Sequence, residues 1–285
     1  MTNFRRIYNS QAEQYERLVS REDHKANIKP ALAQIQQLTG LKVVELGTGT
    51  GRFTRLLAPE VERITSFDIS PHMLSIAKEK LLQSDSTNWG LGAADNRRMP
   101  VKDQVADLAI ACWSMGHSVG WYPESWRLEV GRALAEMARI VRPGGAIVLL
   151  ETLGTNQPTP RPPTPELATF FDWLETEHGF RRSWIRTDYR FASVQEAVEL
   201  TRFFFGDEMD ERQKIVGPLY GQLTFEEVPG TKKIIVISNV VGAYEVIEKL
   251  VNELDSEEMA EIPELIELKY ADPEDLCERL NALFL

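Results

Sequence analysis

The chain is expected to fold as an α/β protein built on a doubly wound, mostly parallel sheet of seven strands, with a small acidic α/β appendage at its C-terminal end. Three observations predict this. Short apolar runs alternate with stretches of helical period, the pattern of βαβ units. The first run ends in a turn with glycine at alternate positions, Gly47-Thr48-Gly49-Thr50-Gly51. The run Ala106–Cys112 is apolar almost throughout, as a strand covered on both faces should be.

Taken in order, residues 1–40 read as a helical leader. Tyr8, Tyr15 and Leu18 come first, then Ile28, Leu32, Ile35 and Leu38 at helical spacing before Gly40. The first strand is Lys42–Leu46, and a helix follows from Gly51 to Leu57. The second strand, Arg63–Phe67, closes at Asp68. Ser70 then caps a helix that carries Pro71 at its first position and continues over Met73–Leu82. Trp89–Ala93 is the third strand, running into Ala94-Asp95-Asn96-Arg97. The fourth, Ala106–Cys112, opens into Trp113-Ser114-Met115-Gly116-His117-Ser118-Val119-Gly120-Trp121-Tyr122. A helix over Arg127–Val141 is stopped by Arg142-Pro143-Gly144-Gly145, which turns the chain into a fifth strand, Ala146–Glu151.

Five prolines between Gln157 and Pro165 then exclude helix and central strand. That stretch reads as a stiff connector or a wall of the substrate pocket. A helix from Glu166 to Thr176, an alternating antiparallel strand over Trp184–Phe191 and a helix over Val194–Phe205 come next. The last strand of the sheet falls on either Leu223–Val228 or Lys232–Ser238. The tail reads strand, helix, strand, helix: Lys233–Ser238, a stripe of Ile247, Leu250, Val251 and Leu254, the alternating Leu265–Tyr270, and a helix opened by Asp272-Pro273-Glu274-Asp275.

At 285 residues, with 43% apolar and 26% charged residues, the chain has the make-up of an ordinary globular protein. No apolar run approaches the ~18–20 residues that cross a bilayer, and no leader pattern precedes residue 23. Cys112 and Cys277 lie too far apart in sequence to suggest a disulfide framework or a metal site, which fits a reducing cytoplasm. The net charge of −11 is uneven: 15 acidic and 5 basic residues from Glu226 onward carry −10 of it. Nothing resembles a basic nucleic-acid footprint, and neither nucleic acid nor a membrane is an expected partner. The domain expectation is 1–220 for the main fold and 221–285 for the last strand or strands plus the appendage.

The glycine turn is the chemical centre. Glycine allows a positive φ, and its missing Cβ lets a ligand lie against main chain, beside the unpaired N–H groups of a helix N-terminus. A dinucleotide fingerprint would need glycine at position 52, which is Arg52, and a Walker A loop would need a Lys-Ser/Thr pair. The form present is E-x-G-x-G-x-G. It resembles the first motif of class I S-adenosylmethionine-dependent methyltransferases of the small-molecule type, and helix, R-P-G-G, apolar strand is a second signature of that group. The likeness is specific from about residue 40 to 152 and softer to about 215.

The resemblance implies a Rossmann-like sheet and S-adenosyl-L-methionine as cofactor. It implies cofactor binding by Glu45, Gly47, Thr48, Gly49 and Gly51 in the turn, and by Asp68 and Ile69 after the second strand. Asp95 and Asn96 after the third strand, and Cys112 and Trp113 after the fourth, complete that set. Asp68 is assigned to the ribose hydroxyls, since a carboxylate offers only acceptors to two donors. Asp95, with Asn96 beside it, is assigned to the adenine amine. Open α/β sheets bind ligands beyond the carboxyl ends of their strands, so a small-molecule methyl acceptor belongs by the loop after the fourth strand. Trp121, Tyr122 and the leader tyrosines Tyr8 and Tyr15 are the substrate candidates. His117 is the catalytic candidate, its free pKa of about 6.5 suiting proton transfer. Enzymes that methylate exocyclic amines of nucleic-acid bases carry N/D-P-P-Y/F here, where this chain has Cys-Trp-Ser-Met.

Two other readings stand beside this one: a nicotinamide-dependent oxidoreductase, disfavoured by Arg52, and an assembly protein with a vestigial nucleotide site whose tail drives homo-oligomerisation. Lys232–Leu285 faintly resembles the small α/β modules of secretin channels, notably in Ile-Glu-Leu-Lys-Tyr-Ala-Asp-Pro-Glu-Asp-Leu.

Overall fold

The computed structural model describes residues 11–154, 159–205, 223–227, 233–238 and 265–267. They fall into two compact units, the first ending at Arg190 and the second starting at Phe191. Tyr8, the Ile247–Leu254 stripe and the helix from Asp272 lie outside the described residues.

In the first unit the leader is two short helices, α1 (Ala12–Val19) and α2 (Ile28–Ile35). Asp23 and Ala26 take left-handed φ values of +57° and +56° between them. The Asp23 carboxylate accepts the N–H groups of Asn27 and Ile28 at 2.8 and 3.2 Å, which restarts the helix.

Five parallel strands follow: β1 (Lys42–Leu46), β2 (Arg63–Asp68), β3 (Trp89–Ala93), β4 (Ala106–Cys112) and β5 (Val141–Leu150). Their order is β3-β2-β1-β4-β5. The order reverses between β1 and β4, which makes the crevice above those two strands the place where such a sheet binds ligands. The crossover helices are α3 (Arg52–Leu57) and α4 (Pro71–Leu82), with Ser70 capping α4 through Met73 N–H. A short α5 (His117–Trp121) and the long α6 (Trp126–Ile140) join β4 to β5, and α7 (Pro165–His178) follows.

All seven residues of β4 are buried. Leu108 and Ile110 pack with Ile28, Leu32, Phe53 and Leu57 on one face. Ala109 and Ala111 point to the other, where their small side chains leave room for Val130, Leu134 and Met137 of α6 and for Phe170 and Trp173 of α7. Each large aliphatic removed from water on these faces contributes ~1.5–3 kcal/mol.

The sheet departs from the seven-strand expectation: among the described residues it has five. Trp184–Phe191 is not a strand. Its alternation is that of an extended surface segment, with Trp184 60% exposed. It hydrogen-bonds instead to the α1–α2 connection, Asp23 N–H to Thr187 O, His24 N–H to Asp188 O and Arg190 N–H to Arg21 O.

R-P-G-G is likewise not a turn between helix and strand. α6 ends at Ile140, Val141 already pairs with Ala106, and the four residues form an irregularity inside β5 before Ala146 pairs with Leu108. Gly144 supplies the positive φ of +83° that it needs.

The second unit holds α8 (Val194–Phe205) and the strands β6 (Leu223–Glu227), β7 (Lys233–Ser238) and β8 (Leu265–Glu267). These three strands form their own antiparallel sheet in the order β6-β7-β8. The two segments expected to compete for the edge of the main sheet therefore pair with each other. They are neighbours in sequence, and closing a short loop costs far less chain entropy than joining a distant sheet.

Candidate functional site

The glycine loop is built from below by Glu45. Its side chain is 1% exposed, and Oε2 accepts the hydroxyls of Thr54 at 2.6 Å and Ser66 at 2.8 Å. Burial pushes its pKa up and the hydroxyls partly offset this. Thr48 Oγ1 joins the same cluster, 2.8 Å from Thr54 Oγ1. The N–H groups of Gly47 and Thr48 both donate to Phe67 O, at 2.8 and 2.9 Å, which lashes the loop to the end of β2.

From the side, Asp68 Oδ2 accepts Gly49 N–H at 2.8 Å while Oδ1 accepts Ser70 N–H at 2.8 Å. Burial raises the pKa of this carboxyl too. Ile69, next to it, is 66% exposed. Gly47, Gly49 and Gly51 all have positive φ, +73°, +56° and +77°. A Cβ on Gly47 would lie 2.6 Å from Ser114 Cβ, and one on Gly51 2.9 Å from Ala77 Cβ. The loop is thus bare main chain at the reversal point, with one acid fastened to it and a second beneath.

The leader is tied onto this loop. Tyr15 is half-buried with Cε1 4.0 Å from where a Gly49 Cβ would sit, and desolvation first, then Glu22, pushes its phenol pKa up. Glu16 accepts the Thr50 hydroxyl and pairs with Arg55 at 2.7 Å and Lys80 at 3.1 Å. Glu22 pairs with Arg52 at 2.7 Å and accepts Thr187 Oγ1 at 2.8 Å. Tyr189, its phenol also pushed up by burial, lies against the same acid. The Arg52 guanidinium sits 5.0 Å over the Trp113 ring. Glu16, Glu22, Thr187 and Tyr189 carry no local motif, and only their long-range partners reveal them.

After β3, Asp95 is clasped by Arg97 through Nε at 2.8 Å and a terminal nitrogen at 2.5 Å, and Arg97 N–H adds a third bond at 2.9 Å. The Arg97 side chain is the main reason the Asp95 pKa falls. Arg97 reaches on to Glu129 at 2.6 Å and lies 5.5 Å over the Tyr122 ring. Asn96, by contrast, leans into the loop: Nδ2 is 3.5 Å from the position of a Gly47 Cβ.

After β4 the chain turns sharply. Cys112 is buried, which raises its thiol pKa, and Trp113 takes a φ of +49° with its ring 5.7 Å from Phe53. Ser114 Oγ donates to Leu46 O at 3.3 Å, next to Gly47. Glu151, just past β5, accepts Met115 N–H at 2.8 Å and Gly116 N–H at 3.0 Å, both on Oε1. Burial lifts its pKa to about 7. His117 is enclosed enough for burial to lower its pKa to about 4, and its ring stacks on Trp121 at 5.2 Å. The sequence reading passed over Glu151. The signal available was an acid at the carboxyl end of an apolar strand, the same signal that marks Asp68.

The structure thus gathers Gly47, Gly49, Gly51, Asp68, Asn96 and Tyr15 around one loop. It keeps Glu45 beneath that loop and Asp95 in the grip of Arg97. His117 and Trp121 form a second group with Met115, Gly116 and Glu151. Among the described residues no group of His, Cys, Asp and Glu could hold a metal, and no helix is long and apolar enough to cross a membrane.

A reversed parallel sheet with a bare-backbone loop over β1 is a nucleotide-binding arrangement, and residues 44–149 match the family model described as a methyltransferase domain. The chain is 29% identical over 168 residues to the demethylmenaquinone methyltransferase of Lactiplantibacillus plantarum, covering 56% of this chain and 67% of that one. It is 30% identical over 160 residues to the demethylmenaquinone methyltransferase of Staphylococcus aureus, covering 54% and 61%. A crystal structure of a SAM-dependent methyltransferase from Aquifex aeolicus superposes with a TM-score of 0.47 at 15% identity, covering 61% of this chain and 89% of that one. The chain spans between 61% and 67% of the length of these curated relatives. These matches carry methyltransferase names, and they do not favour the nicotinamide reading.

Proposed function

We propose that the protein transfers the methyl group of S-adenosylmethionine to a small-molecule acceptor held beyond the carboxyl ends of β4 and β5. The observation that carries this is the loop at the sheet's reversal point. Three left-handed glycines leave no side chain there, and Asp68 already orients the Gly49 N–H beside it. When bound, the cofactor supplies an electrophilic methyl on sulfonium. The chain's own work is to hold the donor, align the acceptor in line and keep water out.

In this reading Gly47, Thr48, Gly49 and Gly51 receive the methionine part, and Glu45 sets their height from below. Asp68 and Ile69 border the ribose. Asn96 and Asp95 border the adenine, with Cys112 and Trp113 on the wall between base and reaction centre. Tyr15, Trp121 and Tyr122 face the acceptor. A demethylmenaquinone, as named for the relatives, is an apolar acceptor of the kind that a site next to the apolar cluster of Met115, Val119, Phe170 and Phe171 would favour. The C-terminal segment serves assembly, and the protein works in the reducing cytoplasm.

Calorimetry with S-adenosylhomocysteine tests the reading. Parent protein binds it, and Asp68→Ala weakens binding ~10- to 100-fold, the loss of one charge-assisted contact. Absence of binding to the parent, or equal binding by the variant, overturns it.

A further inference from the structure

Glu16 and Glu45 are buried in the first unit and Glu22 and Glu151 are half-buried, and all but Glu151 have partners that explain them. Glu16 meets Arg55 and Lys80. Glu22 meets Arg52 and Thr187. Glu45 meets two hydroxyls. Glu151 meets only the peptide N–H groups of the loop after β4, with no cation at ion-pair distance among the described residues. Its surroundings are apolar: Met115, Val119, Leu153 and Leu167 belong to the core cluster on this face. An enclosed carboxylate without counter-charge costs stability, so its presence calls for a use.

Position supplies the use. Glu151 stands one residue past the Cys112–Leu150 pair, at the carboxyl end of the sheet beside the reversal point. Oε1 is held by Met115 and Gly116, while Oε2 lies 2.8 Å from where a Gly116 Cβ would sit, so even a methyl group there would strike it. Glycine at 116 makes room for that oxygen. Hydrogen bonds to Oε1 fix the carboxylate plane, and Oε2 is the oxygen left to receive a proton.

We propose that Glu151 is the general base of the methyl transfer, a catalytic residue that takes the proton from an acceptor whose O–H must ionise before it can attack. This rests on the methyltransferase reading above. In the step, Oε2 bonds the acceptor proton and the O–H pair stays on the acceptor. A lone pair on the acceptor's oxygen then bonds the methyl carbon. The carbon–sulfur bond breaks, and its pair remains on sulfur as S-adenosylhomocysteine. The proton leaves Glu151 to water.

Burial places the pKa of Glu151 near the working pH, where a base is most effective. Of the titratable groups on the elements packed against it, those at the ends next to its own partners are Cys112 from β4, His117 from α5 and Glu166, next to Leu167, from α7. None of them is cationic at neutral pH, since burial keeps His117 uncharged. His117 is therefore a weaker candidate for the base than its type suggested: with a pKa of about 4 it holds a proton poorly.

The test uses the full chain as parent, Glu151→Gln and Glu151→Asp, with two probe acceptors: 1-naphthol, neutral at about pH 7.5, and 4-nitrophenol, largely ionised at about pH 8.5. S-adenosylhomocysteine binding is measured on all three proteins. The expected result is a ~10²- to 10⁴-fold loss of transfer to 1-naphthol in Glu151→Gln, partial rescue in Glu151→Asp, and a loss several-fold smaller with 4-nitrophenol. The acid limb near pH 7 in the parent's profile disappears in Glu151→Gln, and S-adenosylhomocysteine affinity stays within about twofold. Equal losses on the two acceptors mean that Glu151 only fastens the loop, and unchanged transfer means that it has no role. A parent that binds S-adenosylhomocysteine but methylates neither phenol overturns the proposed base, whereas a parent that does not bind it overturns the methyltransferase reading instead.

Discussion

The two halves of the crevice solve the problem of buried charge in opposite ways. On the β1–β2 side, Glu45 is ringed by hydroxyls, and Glu16 and Glu22 are matched by Arg55, Lys80 and Arg52. On the β4–β5 side, Glu151 is held only by peptide N–H groups and His117 lies close by, and desolvation moves their pKa values to about 7 and about 4. The first side is built to hold a shape: its acids lock the loop from below and from the leader. The second keeps titratable groups at high energy, the arrangement expected where protons move.

The sharpest blow to this contrast falls on the loop. Gly47→Ala combines a left-handed alanine, costing ~1–2 kcal/mol, with a contact 2.6 Å from Ser114 Cβ, costing ~1–3 kcal/mol more. S-adenosylhomocysteine affinity measured by calorimetry should fall about 100-fold or more. Adding Ser114→Gly should recover about tenfold by removing the clash but not the φ penalty. A single variant that binds like the parent would refute the cradle.

The next effect is in pH. The folded-state pKa of Glu151 is raised from 4.5 to about 7, so the protonated form is favoured by folding. Its contribution to stability is present below about pH 4.5 and is lost as pH rises through 7. His117 is the reverse, lowered from 6.5 to about 4: its contribution is present above pH 6.5 and lost as pH falls through 4. Denaturant unfolding at several pH values, read as parent minus variant, should slope down between pH 4.5 and 7 for Glu151→Gln. It should slope up between pH 4 and 6.5 for His117→Phe, each by at most about 3 kcal/mol. Flat differences would erase the distinction between the two sides.

On the compensated side, Glu45→Gln should destabilise by about 1–3 kcal/mol in urea, because a neutral amide oxygen accepts the Thr54 and Ser66 hydroxyls more weakly and its NH2 group is buried among groups already bonded to each other. The smallest change is Arg97→Lys. It replaces the two-pronged clasp on Asp95 with a single contact on a partly exposed pair and should cost under about 1 kcal/mol. The Asp95 pKa should rise toward its ordinary value, readable by carboxyl NMR titration.

How much of this could be read beforehand follows the same divide. β1 to β4, the glycine turn, the Ser70 cap and Asp68 at the end of β2 are all local: each element and its signal lie within a few residues. Helix ends moved by only a residue or two, as with Trp126–Ile140 against the expected Arg127–Val141. The rest depends on distant partners. Trp184–Phe191 alternates like a strand, yet its backbone pairs with the α1–α2 connection more than 160 residues away in sequence. β6 and β7 have strand sequences, but nothing in them says which sheet they join. Glu151 ended a correctly placed strand, and only the loop folding back over it from β4 gives that acid a meaning.

The irregularity in β5 acts as slack ahead of the strand that carries Glu151. Between the Ala106–Val141 and Leu108–Ala146 pairs, β4 spends one residue and β5 spends four, so β5 carries three extra. Paired residues face the same layer, so the Leu108–Ala146 pair, and not the number of residues before it, sets the aim of every later side chain of β5. Natural or designed length variants at this kink should therefore leave Glu151 aimed as it is now wherever that pair is kept.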